Sequence, residues 1–168
     1  MHYGKPLALA LLMLATAGFS LADDAGHGYK RPKRLAIPAD APQLWKDECA
    51  GCHMLYSPGL LPAESWRQQM DTLSDHYGSN ASLEPEEQRE IVDFLVRASA
   101  PNRLPLEPSK TTGEPPRISQ TRWFERKHDD VSAAKFRRES VGGRANCVAC
   151  HHDAERGDFD DDRVKIPR

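Results

Sequence analysis

The sequence predicts a mainly α-helical protein built of two helical halves. Apolar residues recur at intervals of three and four between residues 63 and 98, the spacing of one helix face. The surroundings of both cysteine pairs show none of the apolar–polar alternation of a β-strand. Residues 101–116 contain five prolines, which a helix cannot accommodate. We therefore expect a leader over 1–22, a first half over 23–104 and a second half over 105–168.

Residues 1–22 have the pattern of a secretory signal peptide. An almost unbroken apolar run from Leu7 to Leu21 follows Lys5 and leads to Ala22 at a candidate cleavage site. A membrane anchor is the alternative, but a full span needs about 20 apolar residues. We therefore expect an exported, periplasmic protein without stable membrane insertion.

Composition limits how the rest of the chain can fold. The formal net charge of −2 gives no argument for nucleic-acid binding. Apolar residues outside the leader are scattered among prolines, and two small halves would each bury little apolar area. Small units of this kind need disulfides, a metal or a large cofactor to complete their cores.

Three helices are expected in the first half. Pro42 suits the first turn of a helix that runs into the first cysteine pair. A second helix over 63–77 ends at Gly78, a residue type favoured just after a helix. A third starts at Pro85 and reaches Ala98. The residues expected to be buried on the last two helices are Trp66, Met70, Leu73, Tyr77, Ile91, Phe94, Leu95 and Ala98.

The second half is expected to contain shorter helices. They span 119–127, 131–138 and 146–155, with a break at the two consecutive glycines 142–143. The tail over 158–168 is charged and irregular. Its three consecutive aspartates lack the ligand spacing of a calcium loop, so we interpret them as solvated.

All four cysteines fall in two motifs of the form C-x-x-C-H, Cys49–His53 and Cys147–His151. This is the attachment sequence of c-type haem. On a short helix, residues three apart face the same side, so two thiols can bond the two vinyl groups of one porphyrin while the histidine reaches the iron. We therefore expect two covalently bound haem c groups.

The chemical alternatives for these cysteines explain less of the sequence. A thioredoxin-like pair belongs at a helix start in a βαβ unit, which is not seen here. A four-cysteine zinc site would leave both histidines unexplained. Disulfides within C-x-x-C close very small loops and add little stability. In our interpretation Cys49, Cys52, Cys147 and Cys150 hold haem, and His53 and His151 are the proximal iron ligands.

The sixth iron ligand decides the chemistry of each site. For the first haem the candidates are His76, at a predicted helix end, and Met70, which lies on the predicted core stripe. The second half has no methionine, so its candidates are His128, His152, a group from outside the chain, or no ligand. His152 directly follows the proximal ligand and cannot easily cross the haem. We favour His76 and His128.

Two imidazoles on each iron would leave electron transfer as the function. Such haems lack the methionine thioether that raises potentials, so we expect a low-potential, one-electron carrier and not an enzyme. An open iron site would instead suit a small dihaem peroxidase or a haem-based gas or redox sensor. Carbon monoxide binding to the reduced protein would separate these alternatives.

Several segments together resemble a known family, the small dihaem cytochromes c of bacterial periplasms. They are residues 49–53, 61–66, 76–83, 145–151 and 164–167. The resemblance covers most of the chain after the leader. The C-x-x-C-H motifs are common to all c-type cytochromes, and the spacing of two further histidines, His76 and His128, narrows the resemblance to this family.

The resemblance implies a fold, a ligand set and partners. It implies an N-terminal domain like class I cytochrome c and a small, irregular helical C-terminal haem domain. It also implies bis-histidine coordination, with His76 and His128 as the distal ligands. Implied redox partners are a membrane cytochrome b as donor and a soluble acceptor, a small oxygen-binding monohaem cytochrome c.

Overall fold

The structure, a computed structural model, describes residue 1 and residues 35–99 and 117–168. The last two ranges belong to one compact unit. The predicted signal peptide, the arm before residue 35 and the proline-rich segment with the boundary at 104/105 lie outside the described residues, apart from Met1.

The described part of the chain is mainly helical, which confirms the predicted fold class. It contains no β-strand, only an isolated bridge between His76 and Ser79. No helix among the described residues is long and apolar enough to span a membrane. The α-helices are α1 (Gln43–Ala50), α2 (Ala63–Asp71), α3 (Pro85–Arg97), α4 (Arg122–Lys127) and α5 (Ala133–Phe136). Short 3₁₀ turns cover Pro58–Leu60, Leu73–Asp75, Ile118–Gln120, Cys147–Ala149, Ala154–Arg156 and Asp161–Arg163.

The first half folds around α3. This helix begins with Pro85 at its first position and a capping box in which Glu84 and Glu87 each accept a backbone N–H. Its apolar face packs on α2 and α1. The buried residues of this first core are Ala41, Trp45, Leu61, Trp66, Met70, Ile91, Phe94 and Leu95.

The second half has a much smaller core. Its buried cluster consists of Phe124, Phe136 and Val141. Helices α4 and α5 are only six and four residues long. Each begins at a side-chain cap, since Thr121 and Ser132 accept backbone N–H groups of the first turn. Short capped helices fit this half because isolated short helices are marginal in water and need anchoring.

Several predicted helices are shorter than expected. The helix predicted over 63–77 stops at Asp71, because Thr72 turns its hydroxyl back onto the carbonyls of Gln68 and Gln69. The helix predicted over 119–127 is split at Thr121, which adopts an extended conformation as the cap of α4. The helix predicted over 131–138 is only α5.

The prediction of a helix over 146–155 is wrong. The chain forms two separate 3₁₀ turns there, Cys147–Ala149 and Ala154–Arg156. Local hydrogen bonds replace a continuous ladder, since Asn146 donates its side-chain amide to Val141 O and Cys147 donates its backbone N–H to Ala145 O.

The two halves meet at several points. The Tyr56 hydroxyl donates to Ala145 O at 2.8 Å. Gly157 adopts a left-handed conformation (φ 73°) directly against the backbone of Leu35 and Ala36. Residues far apart in sequence therefore meet across the two halves.

Candidate functional site

The first C-x-x-C-H motif forms where α1 ends. Cys49 lies in its last turn, and the turn continues through Gly51 with helical angles, φ −65° and ψ −23°. Cys52 and His53 are exposed. His53 Nδ1 lies 2.7 Å from Met54 O, so Nδ1–H can donate to this carbonyl. In that tautomer Nε2 is left to bind a metal.

A tight two-residue turn presents His76. His76 and Ser79 exchange backbone hydrogen bonds, and the two residues between them, Tyr77 and Gly78, have φ of 57° and 95°. Positive φ at both positions defines a type I′ turn. Asp75 Oδ1 accepts the Gly78 N–H at 2.9 Å and holds the turn closed. A left-handed tyrosine is a strained residue of the kind found beside functional sites.

The structure brings His53 and His76 together. Their ring centroids lie 6.3 Å apart, with 32° between the ring planes. An imidazole nitrogen bonds a metal ion at about 2.0 Å, and the centroid of the ring lies about 1.1 Å further from the ion than that nitrogen. When two imidazoles bind one ion from opposite sides, their ring centroids are therefore about 6.2 Å apart. The observed spacing matches this value.

The second half contains an equivalent pair. His128 follows the last residue of α4, and its centroid lies 6.1 Å from that of His151, with 80° between the planes. His128 Nδ1 lies 2.9 Å from Phe124 O, where Nδ1–H can donate and leave Nε2 available. The Phe124 ring stacks on the His128 ring, with 4.0 Å between the centroids and 16° between the planes. His151 meets Phe159 edge-on at 5.3 Å.

The electrostatics favour neutral imidazoles. Burial lowers the pKa of His76, and nearby His53 and Arg117 lower it further. Burial and nearby His128 also lower the pKa of His151, which Asp161 partly offsets. Iron binds the neutral form of imidazole, so both shifts favour ligation. His76 Nδ1 is also buried without a hydrogen-bond partner among the described residues, as expected where a bound group completes a site.

The thiols are also suited to attachment. Burial, assisted by Glu48, raises the pKa of Cys49 to about 11. Burial and Cys150 raise the pKa of Cys147 to about 11, although its own backbone hydrogen bond works in the opposite direction. Burial likewise raises the pKa of Cys150. All four cysteines are free of disulfides, and as thiols each can add its S–H across a vinyl double bond.

The other candidate ligands lie elsewhere. Met70 is buried in the first core, and His152 is exposed. Within the described ranges, no group of three or more His, Cys, Asp and Glu side chains is arranged to hold a bare metal ion. A site shared by the two cysteine pairs, as in a zinc centre, is therefore not formed there.

The donor set fits haem c at both motifs. Cys49 and Cys52 would hold the first porphyrin and Cys147 and Cys150 the second, while the paired imidazoles would face each iron. When bound, each haem supplies a one-electron Fe(III)/Fe(II) couple.

Sequence reasoning missed the residues around the imidazoles. Arg144 lies 5.0 Å from the ring centroids of both Phe124 and Phe136, and Arg117 lies 3.7 Å from that of Tyr77. Tyr56 packs 5.0 Å from the His53 ring. Only the stack of Phe124 on His128 had a local signal, since the two are four residues apart at a helix end.

The comparisons agree with this site. The family model Dihaem cytochrome c matches residues 45–159. A dihaem cytochrome c from Shewanella baltica is similar, with 35% identity and a TM-score of 0.64 over 76% of this chain and 95% of its own. Two structures of dihaem cytochrome c from Rhodobacter sphaeroides show 40% and 38% identity and TM-scores of 0.59 and 0.61. They cover 73% and 74% of this chain and 99% of their own chains. A comparison with curated proteins found no match.

This chain belongs to the dihaem cytochrome c family. It is accordingly an electron-transfer haem protein that carries two haem c groups and exchanges electrons with redox partners. The predicted family and cofactors are thereby confirmed.

Proposed function

We propose that this protein is a low-potential electron carrier in which two histidines would hold each haem iron. His53 and His76 would ligate the first iron, and His128 and His151 the second. The observation that carries the proposal is the spacing of the two imidazole pairs, 6.3 and 6.1 Å between centroids. Each spacing suits one ion with an imidazole on either side.

The chain's own residues keep both sites closed to other reactants. His53 and His128 are oriented by backbone carbonyls, and burial lowers the pKa of His76 and His151. Two imidazoles on each iron would leave no position for peroxide or a gas, so only electrons would be exchanged. Without a methionine ligand the potentials stay low. On this basis the protein is a carrier and not an enzyme.

The proposal also covers the compartment of the protein and its redox partners. The leader pattern over 1–22 supports export to the periplasm. The resemblance supports a membrane cytochrome b as donor and a soluble, oxygen-binding monohaem cytochrome c as acceptor. Docking with such partners is transient and guided by charge.

The test replaces the distal ligands one at a time in the haem-loaded protein. We expect the wild type to carry two haems by mass spectrometry, to be low-spin in both oxidation states and to bind no carbon monoxide. H76A and H128A should each convert one haem to a high-spin form that binds carbon monoxide.

The matched control is H152A, which removes an exposed histidine beside a ligand and should leave both haems low-spin. A methionine–iron charge-transfer band in the wild type would show that the ligand assignment is wrong. Rapid carbon monoxide binding by the wild type would instead favour a sensor or a peroxidase.

A further inference from the structure

Tyr56 contacts the histidine of the first motif and the segment just before the second motif. Its ring centroid is 5.0 Å from that of His53, at an angle of 38°. Its hydroxyl donates to Ala145 O at 2.8 Å, across 89 positions of the sequence. The ring also packs against the first hydrophobic core, so it is fixed on the side of the first half.

The acceptor of this hydrogen bond lies two residues before the second motif. Ala145 O also accepts the backbone N–H of Cys147 at 3.0 Å. It lies 3.6 Å from Cys147 Sγ, the atom that would bond the second porphyrin. One carbonyl oxygen therefore joins the Tyr56 phenol to the attachment cysteine of the second site.

The phenol acts as the donor in this hydrogen bond. A carbonyl oxygen can only accept, so the Tyr56 hydroxyl must keep its proton to maintain the contact with Ala145 O.

We propose that Tyr56 is a positioning residue that connects the two haem sites and sets the rate of electron exchange between them. The proposal rests on the proposed function, because it takes His53 as the ligand of the first iron. The connection runs from His53 through the Tyr56 ring and hydroxyl to Ala145 O, and from there to the backbone of Cys147.

The electron count is simple. In the half-reduced protein one electron leaves a ferrous iron, which becomes ferric, and reaches the other iron, which changes from ferric to ferrous. No proton is transferred, no bond is formed or broken, and Tyr56 is neither oxidised nor deprotonated. Its part is to hold the two motifs in contact.

The test is Y56F in the haem-loaded protein, with exchange NMR of the haem methyl resonances at half reduction. The variant keeps the ring and its packing and removes only the hydroxyl. The loss of one ordinary hydrogen bond shifts the equilibrium between joined and separated motifs by about fivefold towards separation, so we expect exchange between the haems to slow by more than twofold and by up to about fivefold. Y56L also removes the ring and should slow exchange further.

W66F is the matched control. Trp66 donates a buried hydrogen bond to Pro58 O at 2.8 Å, and both partners lie within the first half. This variant should leave the exchange rate unchanged. Urea unfolding of all variants identifies a purely structural effect, which would slow exchange in proportion to the loss of stability in both Y56F and W66F.

The outcomes separate the two proposals. If Y56F carries two low-spin haems and exchanges electrons within twofold of the wild-type rate, the role of Tyr56 is refuted and the proposed function stands. A wild-type protein with fewer than two low-spin haems would overturn the proposed function, and the role of Tyr56 with it.

Discussion

Replacing Phe124 by leucine tests whether this ring positions the distal ligand of the second site. Phe124 is buried, stacks on His128 at 4.0 Å and lies 5.0 Å from the Arg144 guanidinium. The smaller volume of leucine costs less than about 1.5 kcal/mol. The lost stack on His128 contributes about 1 kcal/mol, and the lost cation–π contact with Arg144 contributes about 1 kcal/mol. We expect F124L to lower the free energy of unfolding by about 2–3 kcal/mol, measured by urea unfolding of the haem-loaded protein.

The spectroscopic effect is the more specific part of this prediction. The imidazole planes cross at 80° in the second pair and at 32° in the first. Near-perpendicular imidazoles on ferric haem give a highly anisotropic low-spin EPR signal, and near-parallel ones give a rhombic signal. We expect one signal of each kind in the wild type. Without the stacked ring, His128 can rotate, so the anisotropic signal should shift or broaden in F124L while the rhombic one stays.

F136L is the control for this experiment. Phe136 lies in the same cluster and at the same 5.0 Å from Arg144, but its ring is tilted by 54° to His128, with 6.2 Å between the centroids. It should lose stability without a change in either EPR signal. If F124L and F136L have the same EPR signals and the same free energy of unfolding, the proposal that the Phe124 ring positions His128 is refuted.

Three further predictions concern the packing and the acid stability. Trp66→Phe removes a buried hydrogen bond of 2.8 Å to Pro58 O and should cost about 1–3 kcal/mol in urea unfolding. Gly157→Ala should cost at least about 2 kcal/mol, because a Cβ at this left-handed residue would overlap Leu35 O, whereas Gly51→Ala meets nothing and should change little. Burial lowers the pKa of both His76 and His151 below the usual value of 6.5, so the low-spin spectrum should persist as the pH falls from 7 through 6.5 and be lost only at lower pH. A transition above pH 6.5 would contradict this assignment.

The features that sequence predicted best are local. The C-x-x-C-H spacing is a chemical requirement for attachment, so it can be read without knowing the fold. The helix over Pro85–Arg97 is close to the predicted 85–98, because a proline start, a capping box and a 3.6-residue apolar stripe all agree. His76 was selected as a residue at the end of a helix stopped by Gly78, but the helix ends at Asp71 and a turn with a left-handed glycine presents His76 instead.

The features that sequence missed depend on contacts between distant residues. Tyr56 and Ala145 are 89 positions apart, and no periodicity links them. Helix ends were also placed too late, since Thr72 ends α2 through its own hydroxyl while the apolar stripe continues past it. The 3₁₀ turns around the second motif replace a predicted helix because local hydrogen bonds from Asn146 and Cys147 compete with the helical ladder.

The two halves differ in how far the chain alone can stabilise them. The first has eight buried residues in its core, and three helices of eight to thirteen residues contribute to it. Among the described residues, the core of the second has three buried members, and its helices are six and four residues long, so its own apolar core is small. A covalently held porphyrin would supply the missing apolar surface there. The second half therefore depends more on its haem, and on contacts with the first half such as Tyr56, than the first half does, so cofactor attachment and folding are most tightly coupled at the second motif.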